Sequence, residues 1–281
     1  MKRVLLILLT IGLLAGCANK DQSGTELRNA EAAALYETAK RALERGDWQT
    51  ATTEYEALQA QYPFGNYATQ AQLDIIYVYY RANDVASAVA AAERFRRINP
   101  RHPSVPYSWY MQGLALEEKN EDTLKRWVGV DTTLRDPVPR RQAFDAYTTV
   151  VERFPESDYA SDARERLAVL FNEGARYQLS VAQFYADRSA WVAAAQRAIT
   201  VIDEFAGTPS VEPAMDLLES AYQALGLTDL ANGVASARQA GIPDMPALYE
   251  GERVEVPPAP ESSQPPSGPS GTTPGGDMMG M

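Results

Sequence analysis

The sequence predicts an all-α chain, about five helix pairs stacked as repeats over residues 30–250 with a proline-rich tail behind them. Three observations lead there. Apolar residues recur at helical spacing from Glu31 to about Pro243, with few strand signals. A small residue stands twelve positions before a helix-ending proline in Ala51–Pro63, Ala88–Pro100, Ala143–Pro155 and Ala231–Pro243, and Ala194–Ala206 keeps the spacing without the proline. After Gly251 the apolar pattern stops, and residues 252–281 hold seven prolines, five glycines and four serines.

Composition narrows the function. The 281 residues carry 26 basic and 37 acidic side chains, a net charge of −11. That balance argues against nucleic acid, which needs clustered Lys and Arg. One cysteine and one histidine allow no intramolecular disulfide and no His/Cys metal cluster. Histidine-dependent catalysis would have only His102 to use. The inventory leans away from an enzyme, and no cofactor or metal is expected.

Taken in chain order, Lys2 and Arg3 precede an apolar run from Val4 to Ala15. Twelve helical residues span roughly 18 Å against a bilayer core of about 30 Å, so residues 1–16 read as a signal peptide rather than a membrane span. The run ends in Leu14-Ala15-Gly16-Cys17, which resembles the bacterial lipobox. That resemblance implies lipidation of Cys17 and cleavage before it. With about 0.8 kcal/mol per buried CH₂, several acyl chains make a lasting anchor. Ala18, where an aspartate would signal inner-membrane retention in such lipoproteins, favours the outer membrane. Residues 17–29 are polar and read as the lipidated cysteine and a flexible tether.

In the body, the spaced alanine sits where the second helix of a pair presses on the first, and a larger side chain there would force the two apart. Tyr55, Ala92, Tyr147, Ala198 and Ala235 follow four positions on and share that face. The proline ends the second helix because it lacks an amide donor. The first helices supply the partner stripes: Leu35, Ala39 and Ala42; Ile76 and Tyr79; Trp109, Gly113 and Leu116; Met215, Leu218 and Tyr222. Gly46-Asp47, Asn83-Asp84 and Thr228-Asp229 supply turns ahead of second helices. The pattern resembles the tetratricopeptide repeat and implies a superhelix of such pairs.

The alanines are separated by 37, 55, 51 and 37 residues, not evenly. The third pair holds extra residues within Asn120–Arg141, and a long helical stretch from Ala160 to Arg188 has only Gly174 to bend it. Such departures suit function, since the stack itself needs none of them. Residues 251–281 read as a disordered tail.

Glu117-Glu118 and Glu121-Asp122 point to different helix faces and read as a solvated helix end rather than an acid–base pair. His102 reads as a turn-packing residue. The aromatics are more informative, with fifteen tyrosines and four tryptophans. Tyr55, Tyr79 and Tyr147 read as core. Tyr62, Phe64 and Tyr110 read as exposed contacts, the kind of side chain enriched at binding hot spots.

Several segments resemble the BamD family, lipoprotein subunits of the outer-membrane β-barrel assembly machine. They are Tyr62-Pro63-Phe64-Gly65, Leu73-Asp74-Ile75-Ile76-Tyr77, Asn99-Pro100-Arg101-His102-Pro103, Tyr110-Met111-Gln112-Gly113-Leu114, Gly129-Val130-Asp131 with Arg135-Asp136-Pro137, and the stretch Tyr177–Val192. The resemblance implies a non-enzymatic scaffold, lipid-anchored to the outer membrane and facing the periplasm. Its implied partners are the POTRA domains of BamA, other Bam lipoproteins and the C-terminal signal of unfolded outer-membrane proteins. Arg197, Asp131 and Asp136 would then be partner-binding residues, and Tyr62, Phe64 and Tyr110 would form the client-signal groove. A different tetratricopeptide envelope lipoprotein, coordinating cell-wall synthesis or division, is the alternative; it would lack the Tyr62–Gly65 and Gly129–Asp131 segments.

Overall fold

A computed structural model describes residues 18–117, 137–241 and 260, with side chains from Glu26 and, past the break, from Val138. The signal peptide, Cys17, Asp131, Asp136 and the tail other than Pro260 lie outside the described residues.

The described residues contain ten helices: α1 Ala18–Glu44, α2 Trp48–Gln61, α3 Ala68–Arg81, α4 Val85–Ile98, α5 Val105–Leu116, α6 Pro137–Arg153, α7 Ala160–Ala186, α8 Trp191–Glu204, α9 Val211–Ala224 and α10 Thr228–Gln239. They form two compact units, α1–α3 with Pro260 in one and α4–α10 in the other. In the first unit α2 packs on both α1 and α3. In the second each helix packs on the next, and α7 also reaches α9, the repeat-to-repeat contact of a helix-pair stack.

The alanine register holds. Ala51, Ala88, Ala143, Ala194 and Ala231 are all buried, and so are Tyr55, Ala92, Tyr147 and Ala198 four positions on, while Ala235 in the last pair is only half-buried. Around them Leu58, Leu73, Ile75, Phe95, Met111 and Val150 are fully enclosed, each contributing about 1.5–3 kcal/mol by leaving water.

The turns show a second regularity. Gly46, Asn83, Ser189 and Gly226 have φ of 73°, 61°, 57° and 73°. Each stands five residues before the buried alanine of its pair. The next residue opens the second helix with nearly one backbone geometry, at φ −83°, ψ 77° for Asp47, −91°, 82° for Asp84, −84°, 62° for Ala190 and −90°, 62° for Leu227. Asp47 accepts from the Thr50 amide at 3.1 Å and Asp84 from the Ser87 amide at 3.0 Å. Ala190 and Leu227 have no side chain able to cap. The last turn is therefore Gly226-Leu227, and Thr228-Asp229 already lie in α10. In the third pair the corresponding residue, Val138, is helical.

Two other expectations change. Residues 18–29 belong to α1 rather than to an unstructured tether; half of them (Asn19, Asp21, Ser23, Gly24, Thr25, Asn29) are poor helix formers, and the segment is continuous with the Ala-rich stretch from Ala30 to Ala42. Gly174 lies inside one continuous α7, where it admits the Phe205 ring: a Cβ there would come within 2.8 Å of Phe205 Cε1.

Candidate functional site

In the first unit, the turn between α2 and α3 presents Tyr62 and Phe64. Asp47 opens α2 and the chain leaves that helix at Tyr62, whose amide still bonds the Leu58 carbonyl. Pro63 cannot continue the ladder. Phe64 is then left 97% exposed, while the half-buried Tyr62 ring is steered by its hydroxyl, which donates to Glu31 Oε2 of α1 at 2.7 Å. Tyr67, at the end of the turn, stacks on Tyr36 at 5.1 Å.

Beneath this turn lies a polar cluster that sequence reasoning missed. Asp74 is 6% exposed in the middle of the apolar α3. Tyr36 and Tyr55 both donate to its Oδ2 at 3.0 Å, and Gln70 Nε2 donates to its Oδ1 at 2.7 Å. Burial pushes the Asp74 carboxyl up to about 6, against the lowering effect of these three donors. A charged residue inside Leu73-Asp74-Ile75-Ile76 was the available signal, because a carboxylate enters such a run only with partners.

Tyr110 is buried rather than exposed. It belongs to the second unit, where it is 2% exposed in α5. Its hydroxyl donates to Asp162 at 2.6 Å, and its ring packs against Tyr147 and Tyr159. Burial, then that hydrogen bond, holds its phenol well above the usual range. The expected exposed contact is thus a core residue, because α5 is enclosed by α4 and α6. Glu117 is likewise no solvated helix end. Arg166 of α7 reaches it at 2.7 Å, as does the Tyr147 hydroxyl at 2.6 Å, and Arg166 also pairs with Asp162. Tyr79, read as core, is half-buried, and its hydroxyl donates to Glu56 at 2.6 Å. His102 packs edge-on against Phe95 and accepts from the Ser104 amide at 3.1 Å, as a turn residue does.

The second unit also carries Arg197. Ala194, Ala195 and Ala198 bury one face of α8, which turns Val192, Gln196 and Arg197 outward. Arg197 Nη1 donates to the neutral Gln178 Oε1 at 3.1 Å. Gln178 also lines a cavity of about 260 Å³ with Arg140, Phe144, Gly174, Tyr177 and Phe205. The first surface presents the rings of Tyr62 and Phe64, and the second presents the Arg197 guanidinium near Phe144 and Tyr177; Tyr and Arg are side-chain types enriched at binding hot spots.

Comparison with known proteins agrees with this architecture. The profile of the YfiO family, described as outer membrane lipoprotein, matches residues 28–236. A Vibrio cholerae protein named outer membrane protein assembly factor BamD is 38% identical over 222 residues, covering 79% of this chain and 91% of the relative. A Neisseria meningitidis serogroup A protein of the same name is 35% identical over 252 residues, covering 88% and 94%. A match that runs through all five helix pairs, and takes in both surfaces described above, places this chain in the YfiO family of outer membrane lipoproteins, alongside the BamD assembly factors.

Proposed function

We propose that the chain is a non-enzymatic scaffold of the outer-membrane β-barrel assembly machinery, anchored through a lipidated Cys17 and facing the periplasm. Relatives named as outer membrane protein assembly factors support the reading across the whole repeat body. The observation that carries it is Arg197, exposed on the outer face of an alanine-packed helix and held only by a neutral amide among the described contacts. Its charge is presented rather than neutralised, which suits an acidic side chain on a partner. That partner would be a POTRA domain of BamA, with Asp131 and Asp136 of the insertion adding contacts and other Bam lipoproteins completing the assembly. The Tyr62–Phe64 turn would hold the C-terminal signal of an unfolded outer-membrane protein, whose alternating aromatic side chains match an exposed ring beside a buried polar cluster.

The test is a mild-detergent pull-down of the tagged, lipidated protein. A barrel protein carrying POTRA domains should co-purify with the unaltered chain, and much less of it with Arg197→Glu at unchanged helix content. Equal recovery with Arg197→Glu would remove that residue from the interface. Recovery of cell-wall synthases instead of a barrel protein would overturn the reading as a whole.

A further inference from the structure

One contact in the first unit ties the repeat body to the tail. Gln70 Nε2 donates to the backbone carbonyl of Pro260 at 3.2 Å. The same nitrogen donates to Asp74 Oδ1 at 2.7 Å. Gln70 is 8% exposed, and Pro260 is itself partly covered. An amide nitrogen carries two hydrogens, so Asp74 takes one and aims the other outward. Asp74 is fixed in turn by the hydroxyls of Tyr36 and Tyr55, and the Tyr36 ring is stacked on Tyr67. The arrangement is a positioned donor beside an aromatic pair.

The chemistry of the occupant follows. A ligand for this site must offer a backbone acceptor, and a segment in extended polyproline conformation offers every carbonyl, since none is used internally. Aromatic faces with a placed side-chain donor are the usual receptor for such segments. The sequence around the bonded carbonyl is Pro257-Pro258-Ala259-Pro260. Three prolines in four residues fix φ near −65° and hold each preceding residue extended, so little conformational entropy is left to lose on docking. We infer that the Gln70–Asp74 face of the first unit is a receptor for a proline-rich extended segment, and that the chain's own Pro257–Pro260 occupies it.

The experiment uses the mature chain with Cys17→Ser, labelled with ¹⁵N, and a second form ending at Arg253. The Gln70 side-chain amide resonances should shift when the tail is removed. They should return when a synthetic peptide of residues 252–264 is added, with saturable binding. Pro260→Gly in that peptide keeps the carbonyl but frees the backbone, and should weaken binding roughly fivefold to thirtyfold. A nitroxide on Ala259→Cys in the full chain should broaden the amides of residues 67–74. Gln70 resonances indifferent to tail removal, together with no broadening, would overturn the inference. A proline-free scrambled peptide binding as well as the natural one would overturn the assignment of ligand class. Apart from Cys17→Ser, which every form shares, the changes tested lie in the tail and not in the repeats.

Discussion

Gly113 lies directly against the ring of Tyr147: a Cβ built on Gly113 would come within 2.5 Å of Tyr147 Cε1. The contact joins α5 to α6 across the break at residues 118–136. It also fixes the Tyr147 hydroxyl on Glu117.

Gly113→Ala should therefore destabilise the chain by about 1–3 kcal/mol, even though alanine is the better helix former. The Tyr147 side is fully enclosed and has no room to yield. Urea denaturation of the two forms measures it. A variant as stable as the parent would show that α5 and α6 can shift apart freely.

Ala190→Asp should stabilise by about 1 kcal/mol. Ala190 has nearly the backbone angles of Asp84 and Asp47, which cap their helices, and stands at the same place in its pair. A rise in the thermal midpoint is the expected result. Leu227 has the same geometry, so Leu227→Asp is a second trial of the same rule.

Asp74 makes stability depend on pH in the direction opposite to most carboxylates. Its folded value is about 6 and its ordinary value 3.8, so the folded chain binds the proton more tightly. Its contribution is present below pH 3.8, is lost as pH rises through 6, and amounts to a swing on the order of 3 kcal/mol. Asp74→Asn should remove that slope, so the variant should gain on the parent between pH 4 and pH 7. Denaturation curves at four pH values across that range would show it, and a constant difference between the two proteins would refute it.

Arg166→Met should cost about 3 kcal/mol, because it leaves Glu117 and Asp162 largely buried without their cation. Adding Glu117→Gln to that variant should return part of the loss. No recovery in the double variant would mean that the arginine acts by packing alone.

The helix pairs were legible because a repeat states its packing rule five times. One alanine, one residue four later and one helix-ending position recur at fixed spacing. The exposed contacts were only partly legible. Phe64 follows Pro63, which ends α2, and stands exposed in the turn, whereas Tyr62 is half-buried by its hydrogen bond to Glu31. Tyr110 carries no such local mark. Its burial depends on Tyr147, Tyr159 and Asp162, which lie 37 to 52 positions along the chain, and no spacing rule reaches that far. The same distance hid the pairing of Glu117 with Arg166, 49 residues on. Asp74 was visible as a charge in an apolar run, but its hydroxyl donors come from two other helices.

The constant five-residue interval between the left-handed turn residue and the buried alanine also acts as a phase lock. Adding or deleting one residue inside it would rotate the second helix by about 100° and carry the alanine off the contact. Length can change only upstream of that interval. The third pair departs from the rule, since its extra residues fall within Asn120–Arg141 and the left-handed turn is absent at the helical Val138. The short turns ahead of α2, α4, α8 and α10 will therefore not accept grafted sequence, such as an affinity tag or a fluorophore-bearing loop.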